Sequence, residues 1–182
     1  MPPGRAAVWL VTIEVPDVEA MSELSRAIVY SEATALHAHW LRTRPAVYSP
    51  QVRLRASTGL GIPSTLYLEA LQVRMPLLRR FVESVFSRCD VLHTPTLPVP
   101  VPRLEEVDLG AGPGLWRMMS LLVRCTAPAN YLGLPALAVP AAHTRNGLRA
   151  SVQLIGRPFS EAMLLRVAAV HEQATQEQPA RG

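Results

Sequence analysis

Four prolines fall within eight residues, Pro95, Pro98, Pro100 and Pro102 of TPTLPVPVPRL, and they constrain this chain more than any other feature. Each locks φ and removes a backbone donor, so the stretch cannot be helical and is left as an extended loop. The sequence is thereby divided into a strand and helical half over residues 6–93, a Pro/Gly-rich loop over 94–114, and a helix, β-hairpin and C-terminal helix over 115–178.

In the first half, residues 6–15 (AAVWLVTIEV) read as a strand leading through Pro16 into a helix that Asp17 is placed to cap. That helix is predicted to run to about Arg42, with Val18, Met21, Leu24, Ile28, Ala35, Leu36 and Trp40 roughly on one face. His37 and His39 lie two apart, which points them to different sides and does not suit a metal pair. Ser49-Pro50 opens a short helix ending at Gly59 or Gly61, and Pro63-Ser64 starts another that reaches about Arg88. Pro76 should bend or interrupt that helix near Met75. DVLH at 90–93 reads as a short strand.

Beyond the proline-rich stretch, GAGPG at 110–114 leads to a helix around Leu115 to Arg124. The glycines lack both the GKS/T ending and the preceding strand of a phosphate loop. ALAVPAA (136–142) and LRASVQLI (148–155) read as paired strands turned by Asn146-Gly147. Ser160 is placed to cap a final helix to about Gln176, with Met163, Leu164, Val167, Ala168 and His171 inward. Both strands have apolar residues at consecutive positions, the pattern of strands covered on both faces. The chain alone is therefore expected to expose apolar surface and an unpaired sheet edge.

Composition excludes several classes. With 49% hydrophobic residues the chain is too apolar for disorder. Cys89 and Cys125 stand in no ligand spacing and read as reduced core thiols. All 18 basic residues are arginines, scattered rather than gathered in a stripe with aromatics, so the net charge of +4 does not argue for nucleic acid. The longest apolar run near the N-terminus, Ala6 to Val11, is too short for a signal-peptide core or a membrane span, which makes the cytoplasm the expected location. Neither a metal nor a cofactor is expected.

Three blocks in order carry a family signal: DVLHTPTLPVPVP (90–102), TAPANYLGLPALAVP (126–140) and GLRASVQLIGRPFSEAMLLRVAAVHEQ (147–173). EVPDVEAMSEL, SEATALH, YSPQVRLRASTG and STLYLEALQVR fit the same pattern in the first half, so the likeness covers roughly residues 8–178. Together they resemble the C-terminal part of an amidase-signature enzyme. The resemblance implies an α/β fold, part of a mixed β-sheet flanked by helices and incomplete in this chain. Its full form hydrolyses carbon–nitrogen bonds by an acyl-enzyme route, with a serine nucleophile, a second serine in a cis peptide, a lysine and a glycine- and serine-rich oxyanion loop.

None of that machinery is expected in these 182 residues. The chain contains no lysine, and arginine cannot serve as a base because its guanidinium does not give up its proton. The serines stand singly, and no GxSxG elbow supports a Ser-His-Asp centre. What the resemblance leaves here is a pocket wall: Thr94, Thr96, Val123, Asn130 and Phe159 face the substrate channel in relatives. Scaffold roles stand beside these, Thr94 and Thr96 tying down the proline-rich loop and Phe159 stapling the last helix against Leu164 or Met163. Arg55 matches an arginine that binds the substrate carboxylate in glutamine-using relatives, and reads equally as a solvated helix arginine. Val123 stands where those relatives place an aspartate for the substrate's amino group. An apolar residue there cannot pair with an ammonium, which favours a small or apolar amide. The implied function is thus an amidase-type hydrolase part, inactive alone and truncated or split from a partner chain carrying the rest. The alternative is a non-catalytic binding or assembly protein on the same scaffold, docking on such a partner.

Overall fold

In a computed structural model of the chain, residues 8–144 and 146–176 are described. A long helix, α1 (Val18–Thr43), organises the first half. Against it lie α2 (Pro50–Ser57), a 3-10 turn over Thr58–Gly61, and α3 (Ser64–Gln72). Helix α4 (Arg74–Val85) follows, then strand β1 (Leu92–Pro95), a short helix α5 (Leu104–Val107) and α6 (Leu115–Val123). The second half adds α7 (Ala127–Leu132), strands β2 (Ala136–His143) and β3 (Arg149–Ile155), and α8 (Glu161–Gln176).

The expected α/β layering is present: three strands in the order β1-β3-β2, flanked by helices. Both pairings are antiparallel, with Leu92 and Ala136 opposite Ile155, and Thr94 and Ala138 opposite Gln153. Because side chains alternate along a strand, the sheet feeds two cores. Leu92 and Ile155 join Met21, Phe81, Val85, Phe86 and Tyr131 in the larger one. Leu154 and Val139 point the other way and are covered by Leu164 of α8. The inward face expected of α8 is correct, and His171 adds a ring-nitrogen contact of 3.0 Å to the Pro140 carbonyl.

Several expectations need correction. Residues 8–15 form no strand among the described residues, because no neighbouring strand is there to share their backbone bonds; residues 6 and 7 lie outside the described range. Asp17 does not cap α1 with its side chain. It adopts a left-handed conformation, φ 58°, and its carboxylate instead pairs with Arg80 at 3.3 Å. The apolar face of α1 is covered only in its first half: Met21 is buried, whereas Leu36 and Trp40 are 78% and 51% exposed. The helix expected over 64–88 is interrupted, at Val73 rather than at Met75. This places Pro76 in the first turn of α4, where a missing N–H leaves no helical bond unmade. Strand β1 starts two residues later than DVLH and takes in Pro95, which an edge strand tolerates. The hairpin between β2 and β3 is wider than a two-residue turn: Thr144 N–H donates to the Leu148 carbonyl at 2.7 Å, and Gly147 holds the positive φ of 77°.

Thr34 fastens α1 to the segment that follows it. Its buried hydroxyl donates to the Ala56 carbonyl at 2.7 Å and accepts from Gly59 N–H at 2.9 Å. Gly59 approaches so closely that an added Cβ would meet the Tyr30 carbonyl and the Thr34 hydroxyl. Thr34→Val keeps the shape but strands a donor and an acceptor, so a loss of roughly 1–3 kcal/mol is expected in urea unfolding. An unchanged midpoint would show that this hydroxyl is not a fastening.

Candidate functional site

A cavity of about 150 Å³ opens where α1, α2, α6 and α7 meet. Three of the six residues singled out in the sequence line it: Arg55 from α2, Val123 at the end of α6, and Asn130 from α7. From α1 come Ser25 and Val29, one helical turn apart, and from α6 Met119 stands one turn before Val123. The walls are thus largely apolar with a few polar groups converging, the usual make-up of a small-molecule site. The Nε–H of Arg55 is buried and has no hydrogen-bond partner among the described residues. An unpaired buried donor costs free energy. At the rim, Arg26 donates to Ser120 Oγ at 3.3 Å and lies 3.8 Å from Glu23, a contact too exposed to contribute much.

Thr94 and Thr96 lie outside this cavity, on β1 and its extension. Gln153 of β3 joins Thr94 to it: its buried amide donates to Cys125 O at 2.9 Å and to Thr94 Oγ1 at 3.3 Å. Cys125 stands between Val123 and Thr126, both on the cavity wall. Gln153 therefore ties the α6–α7 corner to the sheet. Sequence reasoning missed it, although a lone amide inside the apolar run VQLI was a signal. Thr96 Oγ1 is buried without a partner among the described residues, while the Thr96 N–H donates to Ser151 O at 3.1 Å and prolongs the β1–β3 ladder.

Phe159 stands apart from both groups. It is 95% exposed, so it does not staple α8 against Leu164 or Met163, and it holds a left-handed φ of 64°. That conformation costs a residue with a Cβ roughly 1–2 kcal/mol, and the exposed ring recovers little of it. Phe159→Gly is accordingly expected to raise stability by up to about 1 kcal/mol, the greater freedom of glycine in the unfolded chain offsetting part of the gain. A destabilised variant in thermal unfolding would mean that the ring makes contacts this structure does not contain.

Three ionisable groups of the chain are shifted toward their neutral forms. Burial pushes the Cys89 and Cys125 thiols upward, and Asp90 adds to the effect at Cys89. Burial likewise raises Tyr131, whose hydroxyl donates to the Ala70 carbonyl at 2.6 Å. Unfolded cysteine and tyrosine titrate near about 8.5 and about 10. A group raised on folding stabilises fully below its unfolded pKa, and that contribution is lost as pH rises through the folded value. The urea midpoint is therefore expected to hold up to about pH 8.5 and to fall above it. A midpoint constant to pH 11 would contradict this. No group of three or more acidic, histidine or cysteine side chains able to hold a metal occurs among the described residues. No helix there is long and apolar enough to cross a membrane.

Comparison with known proteins gives the family. The family model described as Amidase matches residues 5–165. An amidase from Pseudomonas putida is 36% identical over 167 residues, which is 91% of this chain and 35% of that one. A glutamyl-tRNA(Gln) amidotransferase subunit from Moorella thermoacetica is 42% identical over 142 residues, 75% of this chain and 28% of its own length. A crystal structure of an amidase superposes with a TM-score of 0.75 at 28% identity, covering 89% of this chain and 37% of that structure. The chain thus spans about a third of the length of the relatives it matches. On the match over residues 5–165 and the identity to the P. putida amidase, the chain belongs to the amidase-signature family.

Proposed function

We propose that this chain is the C-terminal, pocket-forming part of an amidase-type hydrolase, whose serine, cis-serine and lysine lie in a complementary part. One observation carries the reading: Arg55, Val123 and Asn130, far apart in a sequence with no lysine, line a single cavity. In this reading residues 1–182 make one partial amidase domain. Arg55 offers its unpaired Nε–H to an oxygen of the substrate, and Asn130 stands beside it on the cavity wall. Val123 turns away an ammonium and favours a small or apolar amide. Thr94 holds the sheet end of the channel through Gln153, Thr96 prolongs the same sheet edge through Ser151, and Phe159, apart from the cavity here, would reach the substrate only in the complete enzyme. A partner chain is in keeping with a relative that is itself an amidotransferase subunit.

The test is reconstitution. The intact chain is co-expressed with the Pseudomonas putida amidase lacking its matched segment, and ammonia release is followed from propionamide and from glutamine. Hydrolysis is expected only when both parts are present, with propionamide preferred and with a raised KM in Arg55→Ala. Val123→Asp should shift preference toward glutamine. A pair that prefers glutamine without that substitution, or that hydrolyses neither amide, would sink the reading.

A further inference from the structure

The most exposed apolar stretch of the described chain is Val8, Trp9, Leu10 and Val11, at 73%, 87%, 90% and 54% exposure. It lies in no helix or strand, and residues 8–13 take part in none of the backbone hydrogen bonds among the described residues. Ile13 and Val15, just downstream, are packed against the larger core and hold the stretch at that end. Side chains alternate along a strand, so pairing would send Val8 and Leu10 to one side and Trp9 and Val11 to the other. Both sides are apolar. A strand on a half-wet sheet alternates apolar with polar residues, whereas one apolar at every position suits a sheet covered on both faces.

The chain's own sheet offers this stretch no place. Both outer strands carry a proline, Pro95 in β1 and Pro140 in β2, and neither can donate to a neighbour. Strand β2 is also irregular between Pro140 and Ala142, which further blunts its edge. The alignment with the amidase crystal structure leaves nearly two thirds of that fold without a counterpart here. We infer that residues 8–12 are a sheet strand that pairs through its backbone with a strand of the polypeptide carrying that remaining part. The identity of this partner rests on the functional reading above. Backbone pairing supplies the register, and Trp9 and Leu10 supply the buried apolar anchors on the two faces.

The complex of the intact chain with the Pseudomonas putida amidase lacking its matched segment provides the test. Amide protons of residues 8–13 are expected to exchange at least a hundredfold more slowly in the complex than in the free chain. Leu10→Pro, which deletes one N–H, should weaken association at least tenfold while leaving the melting of the free chain unchanged, as should Trp9→Asp. Absence of a complex would overturn the inference, as would unchanged exchange at 8–13 or wild-type affinity in Leu10→Pro. Protection that appears in the free chain on concentration alone would assign the strand to a second copy and overturn the partner named here. A protected strand in a pair that hydrolyses no amide would sink the functional reading and leave the strand standing. Hydrolysis with residues 8–13 unprotected would do the reverse.

Discussion

Purified alone, the chain is expected to leave amides and esters intact, with ammonia or nitrophenol release no faster than in buffer. General acid–base transfer typically contributes about 10²–10⁴ in rate, and a single oxyanion donor about 10²–10³. A cavity wall supplies neither. Without a lysine there is no amine to desolvate into a base, and a guanidinium does not serve as one. The two thiols are no substitute nucleophiles, because burial pushes both toward the neutral form and away from the reactive thiolate. His37 is engaged with the Tyr48 hydroxyl at 2.9 Å, and His171 with a backbone carbonyl. Turnover by rigorously purified chain, abolished by a substitution within it, would overturn this expectation. The loss is one of chemistry alone. The same protein should retain the cavity, so a silent assay with a folded circular-dichroism spectrum is the expected pair of results.

How far the sequence reveals such a molecule depends on the range of the interactions involved. Helix α8 and the β2–β3 hairpin were legible because their signals are local: spacing of apolar residues over one face, and Asn146-Gly147 between two apolar runs. Helix α7 was not, since Pro128 in TAPANYL reads as a breaker until it is seen in the first turn, where it is harmless. The strand expected over 6–15 has the right composition, but a strand exists only by pairing, and pairing is a property of what lies alongside. The site divides the same way. Arg55, Val123 and Asn130 came from family resemblance, and no periodicity links an arginine on α2 to an asparagine on α7. Gln153 was passed over because its role depends on the Cys125 carbonyl, a contact between β3 and the corner after α6 that nothing local to either segment announces.

Phe86→Ala is expected to be the most damaging single substitution in the fold. Phe86 is 1% exposed and ends α4, beside Val85 at 0%, in the core shared by α1, α4, α7 and the sheet. Its ring meets Phe81 edge-on, with centroids 5.9 Å apart, and the Arg157 guanidinium lies 5.5 Å from its centroid. Arg157 also donates to the Phe86 carbonyl, which ties the turn before α8 to the end of α4. Truncating a buried phenylalanine to alanine costs roughly 3–5 kcal/mol, and domains of this size are stable by only about 5–15 kcal/mol. The variant should therefore unfold at far lower urea, or be unfolded at 37 °C. Phe86→Leu fills most of the space and should cost much less. The ring's own share is read from a double-mutant cycle with Arg157→Met, for which a coupling of about 0.5–2 kcal/mol is expected. A Phe86→Ala protein within 1 kcal/mol of wild type would mean that α4 is not anchored through this residue, and that the sheet and α1 hold together without it.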